Sequence, residues 1–144
     1  MVKKDRRLTA EIGSLLARSR RLVFQRARRR FEDLGESIFV FRVLAHLHDE
    51  GPAIQAELAD AAAQHPASMS RLLDGMEREG LVHRTRDGED RRRVRVELAA
   101  GGKARYLALY DEAVAVIEES LAPLAVEERE VLAALLAKMM PPRT

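Results

Sequence analysis

Arginine is concentrated in one short stretch of this sequence. Residues 84–95, "RTRDGEDRRRVR", hold six arginines against three acids. A guanidinium group is a fixed fork of donors that fits phosphate oxygens and the guanine edge, and it stays charged at neutral pH instead of exchanging protons. The stretch therefore predicts a surface that binds anions. Its arginines are Arg84, Arg86, Arg91, Arg92, Arg93 and Arg95.

A half-polar helix lies just before this stretch, in "ASMSRLLDGMER" (67–78). Met69, Leu72, Leu73 and Met76 follow the spacing of one buried helical face. The positions opposite and beside that face are the candidate DNA contacts, and they are Ser68, Ser70, Arg71, Asp74 and Arg78.

These candidates have a chemistry that suits base edges. Two small serines permit close approach, and Arg71 can donate twice to guanine O6 and N7. Asp74 either accepts from cytosine N4 or orients Arg71 one helical turn back. The alternative is a solvated helix face that carries one charge pair.

The arginine-rich stretch predicts a two-stranded hairpin, with strands at 81–86 and 93–98. Apolar and charged residues alternate in "RVRVEL", and Asp87–Gly88 is a turn signal. Its tip carries Arg86, Arg91, Arg92 and Arg93, and Asp90 is expected to fix Arg92 or the turn by accepting hydrogen bonds. Edge protection by charge is the alternative for this hairpin.

The order of the elements predicts a winged helix-turn-helix. A short helix from 53 to 62 is followed by a break near 64–66, then by the half-polar helix and the hairpin. In that fold the second helix enters a major groove, and arginines of the hairpin suit a narrow minor groove. The fold class is mainly α with a small β-hairpin wing.

The flanking segments predict two further helical regions. Residues 8–34 form a long helix with a rough apolar stripe, and Ser37 caps a helix that stops at Gly51–Pro52. Gly101–Gly102 opens a helix whose narrow apolar seam steps by three and four residues. The seam comprises Leu107, Tyr110, Val114, Ile117, Leu121 and Leu124.

This seam predicts a homodimer, because a chain of 144 residues has little core left to cover it. Packing against the 8–34 helix is the alternative. A final helix over 126–140 is expected to turn Val131, Leu132, Leu135, Leu136 and Met139 inward. The predicted organisation is an N-terminal dimerisation helix at 1–36, a DNA-binding lobe at 37–100 and C-terminal dimerisation helices at 101–144.

Composition narrows the class of protein. The chain has no cysteine and a net charge of +2, but eleven Lys/Arg lie within residues 1–30 and seven acids within 111–130. No signal-peptide or membrane-spanning stretch is found, which predicts a cytoplasmic protein without a membrane partner. No nucleophile–base pair, phosphate loop or zinc-ligand spacing is found either. We therefore expect no enzyme activity, no cofactor and no metal.

Three segments, read in order, resemble the MarR family of winged-helix regulators. They are "ELA" (57–59), "SRLLDGMEREGLVHR" (70–84) and "DRRRVRVEL" (90–98), and the last holds the family's wing motif in Asp90, Arg92 and Val96. The resemblance implies a homodimer that represses transcription at a pseudo-palindrome and is released by a small, often anionic aromatic ligand. It also implies DNA-binding roles for Ser68, Ser70, Arg71, Asp90 and Arg92.

The family's effector is expected between the dimerisation helices and the DNA-binding lobe. Candidate ligand residues are the pairs Arg42 with His46 and Tyr106 with Tyr110, each spaced i, i+4. For Arg42 and His46 the alternative is a solvated helix face. For Tyr106 and Tyr110 the alternative is packing in the core or at an interface.

The chain departs from the family pattern at Ala63 and Gln64 in the turn, at Gly75 in the second helix, and at Ala99 after the wing. These residues bear on turn geometry and sequence preference. The alternative function is a protein-interaction module on the same scaffold.

Overall fold

The computed structural model describes residues 2–142, and side chains from residue 5 onward. Residues 1 and 143–144, the ends of the predicted segments 1–36 and 101–144, lie outside the described residues. The elements in chain order are α1 (Val2–Asp33), α2 (Ile38–Glu50), β1 (Ala53–Ile54), α3 (Gln55–Ala61), α4 (Pro66–Arg78), β2 (Val82–Arg86), β3 (Val94–Leu98), α5 (Ala100–Leu121) and α6 (Val126–Met139). The mainly helical fold with a β wing is confirmed.

Local signals set most of the helix boundaries. Ser37 accepts a hydrogen bond from the Val40 N–H at 3.4 Å and caps α2, as predicted. After α4, Gly80 adopts a φ of +72°, and Leu81 N–H donates to the Met76 carbonyl at 2.9 Å. This is a Schellman ending, which needs a left-handed residue and so favours glycine.

The sheet has three strands, so the prediction of a two-stranded hairpin was incomplete. β3 lies in the middle, with β2 and β1 antiparallel on either side. Ala53 pairs with Val96, and Ile54 with Arg95. These two residues were predicted as the first turn of a helix. A strand of two residues has too few positions to show an alternating pattern.

The core joins the winged-helix lobe to parts of α1 and α5. Met69, Leu73 and Met76 of α4 pack with helix α2, and Phe31 and Tyr106 belong to the same cluster. Phe31 and Leu44 are completely buried. The lobe and the neighbouring ends of the flanking helices therefore share one core.

The apolar stripe predicted for α1 is buried only in its C-terminal part. Phe24 and Ala27 are half-buried and Phe31 is buried, whereas Leu8 and Ile12 are exposed. Leu15, Leu22 and Leu34 of the same stripe are exposed too. The helix also starts earlier than predicted, since residues 2–7 contain no helix breaker.

Helix α5 begins at Ala100, one residue before the two glycines that were predicted to open it. Gly101 and Gly102 lie inside its first turn because the turn packs against backbone. A Cβ at Gly102 would stand 2.0 Å from the Leu81 carbonyl oxygen, and one at Gly101 would stand 2.7 Å from the Gly80 oxygen. Only glycine permits this approach.

The seam predicted on α5 is only partly covered in the single chain, since Val114, Leu121 and Leu124 are half-buried. The helix packs instead through Tyr106, Leu109 and Val116, which are buried. Leu107 is 56% exposed and Ile117 is 44% exposed. Packing within the chain, including against α1, therefore leaves part of the seam exposed.

Helix α6 differs from its prediction in the same way. It was expected to turn five apolar residues inward, yet it buries none completely within one chain. Val131, Leu135 and Met139 are exposed, and Leu132 and Leu136 are half-buried. A sequence pattern marks a face that avoids water, but it does not say whether the same chain covers it.

Candidate nucleic-acid interface

Helix α4 presents a polar face to solvent, as predicted. Met69 and Leu73 are fully buried on its inner side, while Ser68, Arg71 and Arg78 are exposed. Ser70 is half-buried at the edge of this outer face. The structure thus brings the candidate base-contacting residues of α4 onto one accessible face.

The turn before α4 keeps its geometry despite the unusual residues. Ala63 adopts a φ of +50°, and Gln64 N–H donates to the Ala59 carbonyl at 2.9 Å. His65 Nδ1 accepts from the Ala67 N–H at 3.2 Å and caps α4. Alanine therefore occupies a left-handed position that glycine would adopt more readily.

Asp74 does not orient Arg71, so that part of the prediction was wrong. Its carboxylate pairs with Arg84 of β2, whose Nη2 lies 2.5 Å from Asp74 Oδ1. The same Nη2 lies 2.9 Å from Glu77 Oε2. Asp74 and Arg84 are ten residues apart in sequence, and they meet because β2 packs alongside α4. No local sequence pattern indicates this contact.

Charge and burial shift the ionisation of this cluster. Hydrogen bonding from Arg84 lowers the pKa of the Glu77 carboxyl. Burial on its own would lower the pKa of Arg84, but its hydrogen bonds with Asp74 and Glu77 outweigh that effect and raise the pKa. Glu77 and Arg84 are therefore both charged at neutral pH.

Asp90 shapes the tip of the wing, and its predicted structural role is confirmed. Its Oδ1 accepts from the Arg92 N–H at 2.9 Å, and its carbonyl accepts from the Arg93 N–H at 2.9 Å. Asp87 similarly accepts from the Glu89 N–H at 3.2 Å. These side chains hold the turn by bonding to backbone amides and leave the guanidinium groups outside.

The arginines of the predicted patch fall into two groups. Arg84 pairs with acids of α4, and Arg95 pairs with Glu97 at 3.1 Å. Arg86 donates only to the Arg91 carbonyl, at 3.4 Å. Within the described part of the chain, the guanidinium groups that form no ion pair include those of Arg71, Arg78, Arg86, Arg91, Arg92 and Arg93.

The four candidate ligand residues do not share one pocket. Arg42 and His46 line a cavity of about 280 Å³ between α2 and α3. Tyr106 stacks instead on His48, with ring centroids 4.2 Å apart, and Tyr110 lies beside it. Burial and then the nearby Asp49 raise the pKa of Tyr106, which keeps its phenol neutral.

Sequence reasoning missed a second and larger cavity next to Arg42. It measures about 440 Å³ and is lined by α1, α2 and the turn before α4. Arg20, Arg21 and Arg42 supply positive charge, Phe24 and Phe39 supply aromatic surface, and Gln64 comes from the turn. The run of arginines in α1 was the available signal, but the sequence alone does not indicate which of them meet α2.

Metal-ligand clusters and membrane-spanning helices are two further features to consider in residues 2–142. That range contains no group of three or more His, Asp or Glu side chains placed to hold a metal ion. Among its helices, none has an apolar stretch long enough to cross a bilayer.

Known proteins resemble this chain in sequence. The family model described as the MarR family matches residues 40–94. The HTH-type transcriptional repressor NicR of Pseudomonas putida is 33% identical over 137 residues, which cover 92% of this chain and 84% of NicR. The transcriptional regulator HosA of Escherichia coli O157:H7 is 35% identical over 100 residues, which cover 69% of this chain and 74% of HosA.

A solved structure extends the similarity to the fold. BpsR of Bordetella bronchiseptica, whose DNA binding is regulated by 6-hydroxynicotinic acid, superposes with a TM-score of 0.74 at 25% identity. The match covers 90% of this chain and 98% of the BpsR chain.

Proposed function

This chain belongs to the MarR family of transcriptional regulators, and from that premise we propose that it is a homodimeric repressor of a pseudo-palindromic operator, released by a small anionic aromatic ligand. The observation that carries the DNA-binding part is the pairing of an outward polar face on α4 with a wing whose tip arginines form no ion pair.

Each element has a distinct role at the DNA. Helix α4 enters the major groove, where Arg71 donates to guanine and Ser68 and Ser70 approach base edges. Arg78 lies further along the same face and meets phosphate. The wing places Arg86, Arg91, Arg92 and Arg93 against the backbone and the adjacent minor groove, where arginine is favoured.

The exposed apolar faces support the homodimer. Leu107, Ile117 and Val131 project into solvent from α5 and α6, and Leu8 and Ile12 do so from α1. A second copy would bury these faces by two-fold symmetry. The two copies of α4 would then lie about 34 Å apart, one turn of B-DNA.

The cavity beside Arg42 supports the ligand part of the proposal. Arg20, Arg21 and Arg42 match a carboxylate, and Phe24 and Phe39 match an aromatic ring. Its wall includes Ala63 and Gln64, which lead into α4, so an occupant can displace the DNA-reading helix. The regulation of BpsR by 6-hydroxynicotinic acid, an aromatic carboxylic acid, is consistent with this ligand class.

Arg92→Ala tests the DNA-binding role directly. The change removes one guanidinium but keeps the N–H that Asp90 accepts from, so the turn should persist. We expect the dimer to remain and the free energy of operator binding to weaken by about 1.5–3 kcal/mol, the contribution of a charged hydrogen bond, as measured by fluorescence anisotropy.

Arg28→Ala is the matched control, because it also removes one positive charge, from an exposed ion pair with Glu32 on α1. Such pairs contribute little, so this variant should bind like the wild type. Unchanged binding by Arg92→Ala would instead favour an interaction module that does not read DNA.

A further inference from the structure

We propose that Arg84 is a positioning residue that locks the wing onto the recognition helix α4, with Asp74 and Glu77 as its partners, and that none of the three reads DNA. The proposal rests on the proposed DNA-binding function. It reassigns Asp74, which the sequence marked as a base contact, and it removes Arg84 from the positive patch.

The geometry of the cluster ties two elements together. Arg84 Nη2 bonds to Asp74 and Glu77 at 2.5 and 2.9 Å, and its Nε lies 3.1 Å from Glu77 Oε2. The Arg84 N–H also donates to Glu77 Oε1 at 3.2 Å. One acid therefore holds both the backbone and the side chain of the strand, and the fork geometry of arginine serves two carboxylates at once.

Burial separates Arg84 from the arginines available to DNA. Its side chain is only 18% exposed, and it follows Val82 on the side of β2 that packs on α4. Arg84 also pairs in register with Val96, which is fully buried. Phosphate would have to compete with two carboxylates for a guanidinium that already donates to both.

The cluster carries a net charge of −1, because two carboxylates surround one guanidinium. A group with that charge beside the DNA-facing side of α4 repels phosphate, so electrostatics alone would make it weaken binding. A mechanical role explains its presence. The tip arginines can meet the backbone only if the wing keeps a fixed angle to α4, and a wing that is already ordered loses less entropy on binding.

When one of the two acids is neutralised, the positioning role and electrostatics alone predict opposite changes in operator affinity. Asp74→Asn and Glu77→Gln each remove one negative charge, so electrostatics predicts tighter binding to any duplex. Positioning predicts about tenfold weaker binding to the operator duplex, a change of 1.4 kcal/mol. Binding to a scrambled duplex should stay within about twofold of the wild type or become tighter.

Three further variants complete the design. Glu79→Gln makes the same charge change at an exposed acid just beyond α4, and it should bind the operator no more weakly than the wild type. Asp74→Glu keeps the carboxylate and should restore operator affinity to within about twofold of the wild type. Arg84→Lys keeps the charge but loses the fork, and it should weaken operator binding about as much as Asp74→Asn does.

The outcomes separate the clamp from the proposed function. If the wild type prefers its operator and Asp74→Asn binds it as tightly or more tightly, the clamp is wrong. If the wild type shows no preference, the proposed function fails. Amide hydrogen exchange in DNA-free protein then decides the clamp: faster exchange at 82–86 and 94–98 in Asp74→Asn than in Glu79→Gln supports it, and equal exchange overturns it.

Discussion

Ala63 holds a backbone conformation that glycine adopts more easily. Its φ of +50° closes the turn between α3 and α4, and a left-handed conformation costs an L-residue about 1–2 kcal/mol. We expect Ala63→Gly to raise the free energy of unfolding by about 0.5–1 kcal/mol, once the greater flexibility of glycine in the unfolded chain is included. Urea unfolding at matched protein concentration measures this change.

The control for this prediction is Ala104→Gly, at an exposed helical position of α5. The same replacement there should destabilise the protein by about 1 kcal/mol. If both substitutions lowered the free energy of unfolding, Ala63 would not be strained.

The ion pair at Glu77 should make stability depend on pH in the acid range. Hydrogen bonding from Arg84 holds the pKa of Glu77 below its ordinary value of 4.5 in the folded protein. Its contribution is therefore present above that value and is lost as pH falls through the lowered pKa. We expect Glu77→Gln to reduce the loss of stability below about pH 4.5, compared with the wild type.

Urea midpoints across the acid range test this expectation. The variant should already be weaker near neutral pH and should converge on the wild type as the carboxyl becomes protonated. Parallel curves for the two proteins would mean that Glu77 titrates alike in the folded and unfolded chains.

Single residues differ in how well the sequence reveals their roles. Asp90 was correctly assigned to the turn, because an Asx-type turn is made within three residues. The partner of Asp74 was not found, because it depends on how β2 lies against α4. Local hydrogen bonds can be read from sequence, whereas pairs across elements need the register.

Among the elements, helix α5 is the one whose packing depends most on a glycine, Gly102. Its first turn meets the Leu81 carbonyl so closely that a Cβ at Gly102 would stand 2.0 Å from the oxygen. We expect Gly102→Ala to destabilise the protein by about 2–4 kcal/mol, since either helix or turn must move. Thermal unfolding followed by circular dichroism measures the effect.

Gly75 is the matched control, because it lies in a helix too but a Cβ there would have no neighbour within 4 Å. Gly75→Ala should stabilise the protein by about 1 kcal/mol through helix propensity alone. Equal effects of the two alanine substitutions would contradict the close packing at Gly102.

The order of the helices and the wing could be predicted, because apolar periodicity, Ser37 and Gly80 are strong local signals. Two of the differences between prediction and structure arise from contacts between elements. The Ala53–Ile54 strand is stabilised only by pairing with β3. The glycines at 101–102 mark the start of α5 to within one residue, but the sequence does not show that they lie in its first turn because of close packing.

At the scale of the whole molecule, the apolar faces of α1, α5 and α6 predict a second copy. Ile117 is 44% exposed on the α5 seam. We expect the wild type to sediment as a dimer and Ile117→Asp to weaken dimerisation at least a hundredfold, because a buried unpaired carboxylate costs several kcal/mol.

Ala108→Asp is the control for Ile117→Asp. Ala108 is exposed on the same helix, and because it lies nine residues earlier it is on the opposite side from Ile117. This variant should remain dimeric. Analytical ultracentrifugation that finds both variants equally dimeric would place the interface elsewhere.

The sequence predicted an apolar seam on α5, but it did not predict the face through which this helix packs within one chain. The seam at 107–124 has a clear spacing, but the adjoining face with Tyr106, Leu109 and Val116 makes the contacts within one chain. Both faces are apolar, so periodicity does not distinguish them. The cavity beside Arg42 was missed for a related reason, because its walls come from three separate elements.

Binding to DNA from the region upstream of its own gene tests the central claim most directly. Fluorescence anisotropy would compare this duplex with a scrambled one across a salt titration. We predict a preference of about 10³ or more for the native duplex, with a steep salt dependence from the phosphates that the wing and α4 neutralise. Equal binding to both duplexes, or none at low salt, would contradict a specific regulator of that region.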